Sequence, residues 1–244
     1  MDISAPPKLG DSPFNYDDYS AFRFIHYWQQ IHHIRKLKPG KILEIGPGDH
    51  TVTDFLRRKG FGIQTLDNDS RLHPDYQRDI RERLNIDERF DLVLACEVFE
   101  HSNVKFLGKI LDNLKEVLLP KGYLLVSLPY STIRLFPNRP DYGRFVSCEG
   151  RFLTHIPYSF VQFLRTVRRG LHRITLQGRI KDAFEVCKIF PDYPDDKYDV
   201  HHWDVGVWPT TRSAIRRIFQ DHFFLLEEKA YVNTNCVFYI LQKR

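Results

Sequence analysis

The amino-acid sequence predicts an α/β fold in which helices cover both faces of a mostly parallel β-sheet. Residues 41–45 form a short apolar strand that runs into a glycine turn, and the turn leads into a helix over residues 51–58. A second strand follows over residues 61–66. Residues 90–96 form an almost continuous apolar run, as expected for a parallel strand that is buried on both faces. Strands and helices that alternate in this order are typical of βαβ units.

The composition is that of one globular domain. The chain has 244 residues, of which 42% are hydrophobic and 27% charged, enough for one α/β core with an elaboration but short for two domains. No segment has the length and apolar character of a membrane span, and the acidic, proline-containing start does not resemble a signal peptide. The 4 cysteines show no paired spacing, which indicates reduced thiols. We therefore expect a cytoplasmic protein.

The N-terminal segment divides into an arm and a helix. Residues 1–18 are rich in Pro, Asp and Ser, whereas residues 19–37 repeat apolar side chains at helical intervals until a Pro-Gly pair ends the pattern. We expect residues 1–39 to form an arm and a capping helix, and residues 40–244 to form the main domain.

The turn after the first strand predicts a nucleotide site. Gly46 and Gly48 provide a tight turn and a backbone that a ligand can approach closely. The second strand ends in Asp67, about 20 residues beyond the glycines, where a carboxylate can accept both ribose hydroxyls. Thr51 stands where the dinucleotide-binding fingerprint has its third glycine, which argues against NAD or FAD. The acidic Glu44 just before the turn favours a cationic cofactor over a polyphosphate.

The segment Glu44-Ile45-Gly46-Pro47-Gly48 resembles the E-x-G-x-G motif of class I S-adenosylmethionine (SAM)-dependent methyltransferases. Three further segments resemble motifs of that family, in the family's order. They are Asp79-Ile80, Phe90 to His101 (similar to F-D-x-V-x-x-x-x-V-x-E-H after strand 4), and Leu119 to Ser127 (similar to L-x-P-G-G-x-L before strand 5, with Lys121 in place of a glycine). The resemblance covers residues 40–130 and, more loosely, the C-terminal segment.

The resemblance implies a Rossmann-like, doubly wound sheet of seven strands with an antiparallel last strand. A helix near residues 210–220 fits its last helix, and two strands over residues 223–232 and 236–242 form an antiparallel hairpin. Residues 131–207 are then an insertion, longer than a usual connection. We expect this insertion to act with the N-terminal helix as a lid that selects the acceptor.

The insertion is aromatic and basic in its middle part. Residues 163–181 carry no acidic side chain, and their basic residues are Arg165, Arg168, Arg169, Arg173, Arg179 and Lys181. Three interpretations remain open: a solvated helix face, a site for an anionic substrate, or a contact with nucleic acid or an anionic membrane surface. Residues 191–197 are acidic and rich in turn-forming residues, which disfavours a continuous nucleic-acid groove.

The resemblance implies a cofactor site at the carboxyl ends of the first strands. It places the glycine backbone beside the amino-acid moiety of SAM, Asp67 at the ribose, and Asp79 with Ile80 around the adenine. Cys96 and Glu97 come to lie beside the sulfonium and the methionine. The complete predicted set is Glu44, Gly46, Pro47, Gly48, Asp67, Asn68, Asp79, Ile80, Cys96 and Glu97. The alternative for Asp67 is a helix cap, and for Asp79 a surface turn.

Three histidines are candidates for proton transfer. Methyl transfer from SAM is an in-line displacement that depends on positioning of the acceptor, and a hydroxyl or protonated amine acceptor must also lose a proton. His101 follows strand 4 at the edge of the sheet where ligands bind in open α/β folds, and it is the first candidate. His201 and His202 precede the last helix and are the second. For each histidine the alternative is a purely structural or solvent-exposed side chain.

A metal site is a further hypothesis for the same segment. The spacing Glu97-x-x-Glu100-His101 resembles the divalent-metal site of RNA 3′-terminal 2′-O-methyltransferases and of some quinone-pathway O-methyltransferases. His201 or His202 would complete such a set. Since a Glu-His pair after strand 4 also occurs in metal-independent relatives, we predict no metal.

The sequence therefore predicts a SAM-dependent methyltransferase that acts on oxygen or nitrogen of a small acceptor, such as an anionic or carbohydrate-like molecule, rather than on a macromolecule. The alternative is a non-catalytic SAM-binding module that acts through its basic insertion as a binding protein. An NAD-linked oxidoreductase is disfavoured because no hydride-transfer constellation is recognisable. No nucleic-acid partner is expected, and the acceptor, the methylated atom and the oligomeric state stay open.

Overall fold

The computed structural model describes residues 21–130, 132–134, 155–157, 194–195, 200–207, 209–231, 234 and 236–244. The N-terminal arm and most of the predicted insertion, including its basic segment, lie outside these residues. Among the helices in the described ranges, none combines the length and the apolar character that a membrane crossing requires.

One mixed sheet forms the centre of the molecule. Its strands are β1 (Lys41–Ile45), β2 (Gly62–Asp67), β3 (Tyr76–Gln77), β4 (Phe90–Cys96), β5 (Leu118–Pro129), β8 (Phe223–Tyr231) and β9 (Cys236–Lys243). The order is β3-β2-β1-β4-β5-β9-β8, and β9 is antiparallel to both of its neighbours whereas β1 to β5 pair in parallel. Strands β6 (Thr132–Arg134) and β7 (His155–Pro157) form a separate antiparallel pair. The predicted seven-stranded, doubly wound sheet is confirmed.

Helices cover both faces of this sheet. The described α-helices are α1 (Ala21–Leu37), α2 (Thr51–Arg58), α3 (Leu107–Val117) and α4 (Arg212–His222). Because side chains alternate along a strand, Ile42 packs beneath α1 and α2 while its neighbour Leu43 packs beneath α3 and α4. Helix α4 begins where the Thr211 hydroxyl accepts the N–H of Ala214 at 3.2 Å, a side-chain cap for an otherwise unpaired donor.

Candidate active site

A cleft of about 250 Å³ opens at the carboxyl ends of β1, β2 and β4. The strand order reverses between β1 and β4, and open α/β sheets bind their ligands at this point. Most of the predicted cofactor residues line the cleft, together with one predicted histidine. They are Gly46, Gly48, Asp67, Asn68, Asp79, Ile80, Glu97 and His101.

Three predicted cofactor residues lie behind the cleft wall. Pro47 and Glu44 are buried, and Cys96 packs against the apolar cluster between the sheet and helices α1 and α2. Glu44 accepts a short hydrogen bond from the Thr53 hydroxyl of α2. Burial raises the pKa of Glu44 to about 7, and the Thr53 hydroxyl opposes that shift. In this position the Glu44 side chain joins β1 to α2 and supports the glycine turn from below.

The glycine turn depends on the absence of side chains. Gly46 and Gly48 have φ values of +64° and +58°, in the left-handed region that glycine adopts without strain. A Cβ atom on Gly46 would lie 2.7 Å from Cγ2 of Val98. The Gly46 N–H donates to the carbonyl of Leu66 at 2.9 Å, which ties the turn to β2. The turn thus presents bare backbone to the cleft.

The end of β2 presents a fixed carboxylate. The N–H of Asp69 donates to Oδ1 of Asp67 at 2.8 Å, and burial raises the pKa of Asp67 above its usual range. His50 Nε2 lies 2.7 Å from the carbonyl oxygen of Leu72 and holds the following turn against the glycine loop. Asp67 therefore stands at the cleft wall with its orientation set by the backbone.

Asp79 forms an ion pair at the same end. Arg81 donates to Oδ2 of Asp79 from Nε at 3.0 Å and from Nη2 at 2.7 Å, which is a two-point contact. The same guanidinium lies over the ring of Phe106 and donates to the carbonyl of Asp195 at 2.5 Å. Asp79 therefore lines the cleft with its negative charge offset by the guanidinium of Arg81.

Residues 200–207 pack against the turn after β4, which carries the cleft residue His101. Trp203, 4% exposed, donates from Nε1 to the carbonyl of Ser102 at 2.9 Å, and the N–H of His202 donates to the carbonyl of Glu100 at 2.8 Å. These bonds bring the rings of His101 and His201 to a centroid distance of 4.9 Å, edge to face. His202 contributes its backbone to this contact, and its side chain is not part of the described cleft lining.

His201 carries a carboxylate partner. Its Nδ1 lies 3.1 Å from Oδ1 of Asp204, and this hydrogen bond raises the pKa of His201 above its ordinary value. A carboxylate that orients an imidazole and stabilises its charged form makes the imidazole a better proton acceptor. His201 is therefore suited to take a proton, and its ring lies against that of His101, which lines the cleft.

Glu100 is the most deeply buried acid of the site. It is 0% exposed, and its carboxylate oxygens have no hydrogen-bond partner among the described residues. Burial, and next the charge of Glu97, raise the pKa of Glu100 well above its usual range. Candidate ligand atoms of Glu100, His101 and His201 lie within 4.8 Å of one another, and one carboxylate with two imidazoles is a donor set that suits divalent transition metals.

Several lining residues were not predicted from the sequence. They are Ile45, Leu66, Leu72, Arg78, Val98 and Ser102. Most of them are immediate neighbours of predicted residues, so the rule that ligands meet the last residue of a strand and the first of the next turn would have found them. Leu72 lies in an irregular turn and had no comparable signal.

Comparisons with known proteins agree with this architecture. A family model described as a methyltransferase domain matches residues 16–165. The ubiquinone biosynthesis O-methyltransferase of Azorhizobium caulinodans is 30% identical over 125 residues, which cover 46% of this chain and 49% of that protein. The chain thus matches about half the length of this relative.

Solved structures share the fold at low sequence identity. N-methyltransferase NodS from Bradyrhizobium japonicum WM9, in complex with S-adenosyl-l-homocysteine, has a TM-score of 0.53 at 14% identity, covering 96% of this chain and 93% of its own. The PH0226 protein from Pyrococcus horikoshii OT3 has a TM-score of 0.55 at 13% identity and 95% coverage of both chains. The 1,6-didemethyltoxoflavin-N1-methyltransferase of Burkholderia thailandensis reaches 0.52 at 14% identity, covering 93% and 80%.

Proposed function

Because this chain belongs to the methyltransferase domain family and is a SAM-dependent methyltransferase, we propose that it methylates an oxygen or nitrogen atom of a small acceptor. One observation carries the proposal. One cleft is lined by the glycine turn, Asp67 and His101, and the ring of His201 lies against that of His101 at a centroid distance of 4.9 Å. The proposed site of the methyl donor and the proposed proton acceptor therefore share one cavity.

The cofactor is proposed to lie across the ends of β1 and β2. The glycine-turn backbone borders the amino-acid moiety, Asp67 accepts the ribose hydroxyls, and Asp79 with Ile80 borders the adenine. Glu97 faces the cationic methionine end. The support for this placement is that all of these residues line the same cleft.

The acceptor is proposed to enter beside the two histidines. SAM carries a methyl group that is already activated by its sulfonium, so the protein mainly needs to align the acceptor with the methyl carbon. A hydroxyl or protonated amine must also release a proton, and His101 is the proposed acceptor of that proton, with His201 beside it. Anionic and carbohydrate-like molecules are included among the proposed small acceptors. The relatives named above are O- and N-methyltransferases, so both atoms remain within the proposal.

A binding and turnover experiment tests this function. Calorimetry with SAM, S-adenosylhomocysteine and NADH should show binding of the first two compounds only. Release of S-adenosylhomocysteine from SAM over a panel of hydroxylated and amino acceptors should then identify a substrate. Tight SAM binding without methyl loss over the panel would favour the non-catalytic binding module, and binding of NADH in place of SAM would contradict the proposal.

A bound divalent cation is the second hypothesis for the acceptor end. The buried carboxylate of Glu100, next to His101 and His201, is the observation that favours it. Such a cation would bind an acceptor hydroxyl and lower its pKa. Thermal unfolding with Mn²⁺, Zn²⁺, Mg²⁺ or a chelator tests it without any substrate. Indifference of both the unfolding temperature and the turnover to all four additions would support the predicted absence of a metal.

A further inference from the structure

A chain of hydrogen bonds runs from helix α1 to the cleft. Nε2 of Gln30 lies 3.2 Å from Nδ1 of His26, and Nε2 of His26 lies 3.0 Å from the hydroxyl oxygen of Ser127. The Ser127 hydroxyl donates to Oε1 of Glu97 at 2.9 Å. These hydrogen bonds join α1 to β5 and β5 to the turn after β4, so they connect three elements at one point.

The chemistry of the four groups gives the chain a direction. The amide nitrogen of Gln30 only donates, so Nδ1 of His26 accepts and the ring carries its proton on Nε2. That N–H donates to Ser127, whose own proton goes to Glu97. Burial, and next the charge of Arg23, lower the pKa of His26 to about 4, which keeps the ring neutral. Every donor in the chain thus points towards the Glu97 carboxylate.

Ser127 also fixes the backbone of Glu97. The N–H of Glu97 donates to the carbonyl of Ser127 at 3.0 Å, and Glu97 has a φ of +55°, in the left-handed region that non-glycine residues rarely adopt. Such a conformation persists only where surrounding contacts hold it. Two contacts from one residue hold Glu97, and its side chain, 33% exposed, faces the cleft.

Glu97 needs such support if it is to carry a charge. Burial raises the pKa of Glu97 above its usual range, whereas the Ser127 hydroxyl and the charge of His201 lower it. The titratable groups around Glu97 are His26 on α1, His201 and Asp204 of residues 200–207, Glu100 and Cys96 on its own segment, and Cys236 on β9. Ser127 is the group that donates directly to the carboxylate.

We propose that His26 is a positioning residue that acts through Ser127 to orient Glu97 and keep it ionised, so that Glu97 holds the cationic methionine end of SAM. The inference rests on the proposed function, because it assigns the partner of Glu97 within the same cofactor site. SAM brings a sulfonium and an ammonium group, and a fixed carboxylate in a confined cleft is their natural counter-charge. Helix α1 thereby becomes part of the cofactor site.

The dependence of SAM affinity on pH tests this inference. His26→Phe and Ser127→Ala each remove one donor, so the pKa of Glu97 should rise and SAM binding should weaken at and below neutral pH. A rise of one unit in the pKa of Glu97 lowers its ionised fraction by up to about tenfold, so the dissociation constant should rise about fivefold at pH 7 and up to about tenfold at lower pH. The difference should vanish near pH 9, where Glu97 is ionised in every variant. Glu97→Gln should bind weakly at all pH values.

A matched control and a second measurement separate the outcomes. His32→Phe changes a histidine of the same helix whose ring stacks on Trp28 at 4.8 Å, and it should leave the pH profile unchanged. In the ligand-free protein, ¹³C carboxyl shifts should show a higher titration midpoint for Glu97 in both donor variants. An unchanged midpoint, or a loss of affinity that is equal at all pH values, would overturn the inference. Wild-type protein that binds no SAM would instead contradict the proposed function, and the carboxyl titration would still decide the role of His26.

Discussion

The end of the cleft that we propose to hold the adenosine (the adenosine end) is built from one contiguous segment. The end that we propose to hold the methionine and the acceptor is assembled from four distant ones. The glycine turn, Asp67 and Asp79 all lie within residues 46–80 and are held by short-range backbone contacts. At the other end, His26 meets Ser127 and Trp203 meets Ser102, each across 101 positions of the chain. The first end depends on local backbone geometry, and the second depends on how whole elements pack.

This difference separates the expected effects of mutations. Changes at the adenosine end should weaken cofactor binding and leave turnover of the bound complex nearly intact. Changes at the histidines should lower turnover and leave SAM affinity intact, because we propose that those side chains face the acceptor. The following predictions test whether the two ends are separable in this way.

Gly46→Val should have the largest effect and abolish measurable SAM binding. The residue requires a positive φ, and its Cβ would lie 2.7 Å from Cγ2 of Val98, which also lines the cleft. Gly60→Val is the matched control, because Gly60 also has a positive φ, +84°, but no atom lies within 4 Å of its added Cβ. Calorimetry with SAM should distinguish the two. Retained affinity in Gly46→Val would show that the turn does not contact the cofactor.

His101→Phe should lower kcat by about 10²-fold or more, the usual contribution of a general base, and leave the dissociation constant of SAM unchanged. The phenyl ring keeps the packing against His201 but accepts no proton. Single-turnover rates under saturating SAM measure the effect, with His73→Phe, at the outer turn after β2, as the control. A variant with normal kcat would assign proton removal to another group and return His101 to a structural role.

The sequence signals for the adenosine end are local. A strand pattern, two glycines and an acid at the next strand end lie close together in the chain, and in the structure the glycines and the acid line one cleft. Glu44 was predicted at the cofactor, but the period of a β-strand turns its side chain to the face of Ile42, where Thr53 of α2 lies. The contact of His26 with Ser127 had no sequence signal, because no periodicity relates residues so far apart.

Asp67→Asn should have a moderate effect at the adenosine end. A hydrogen bond to a charged group contributes about 1.5–3 kcal/mol, so SAM and S-adenosylhomocysteine should both bind at least about tenfold more weakly. Because the two compounds share the ribose, their affinities should fall by the same factor. Asp87→Asn, an exposed acid, is the control. A loss for SAM alone would place Asp67 beside the sulfonium and reverse the proposed orientation.

His33→Phe should have the smallest effect at neutral pH and a clear one in acid, where it tests how firmly α1 is anchored. His33 belongs to the buried face of α1 and is 0% exposed, its Nε2 lies 3.0 Å from the Tyr231 hydroxyl, and burial lowers its pKa from 6.5 to about 4. As the pH falls, the imidazole of His33 is therefore protonated in the unfolded chain before it is protonated in the folded protein. The stabilising contribution is fully present above pH 6.5 and is lost by about pH 4, on the order of 3 kcal/mol. Urea unfolding at pH 7.5 and pH 4.5 should show a smaller acid loss in His33→Phe than in wild type. If the acid loss is equal in both proteins, His33 does not limit the docking of α1, and the cleft end that α1 completes is held by contacts other than this histidine.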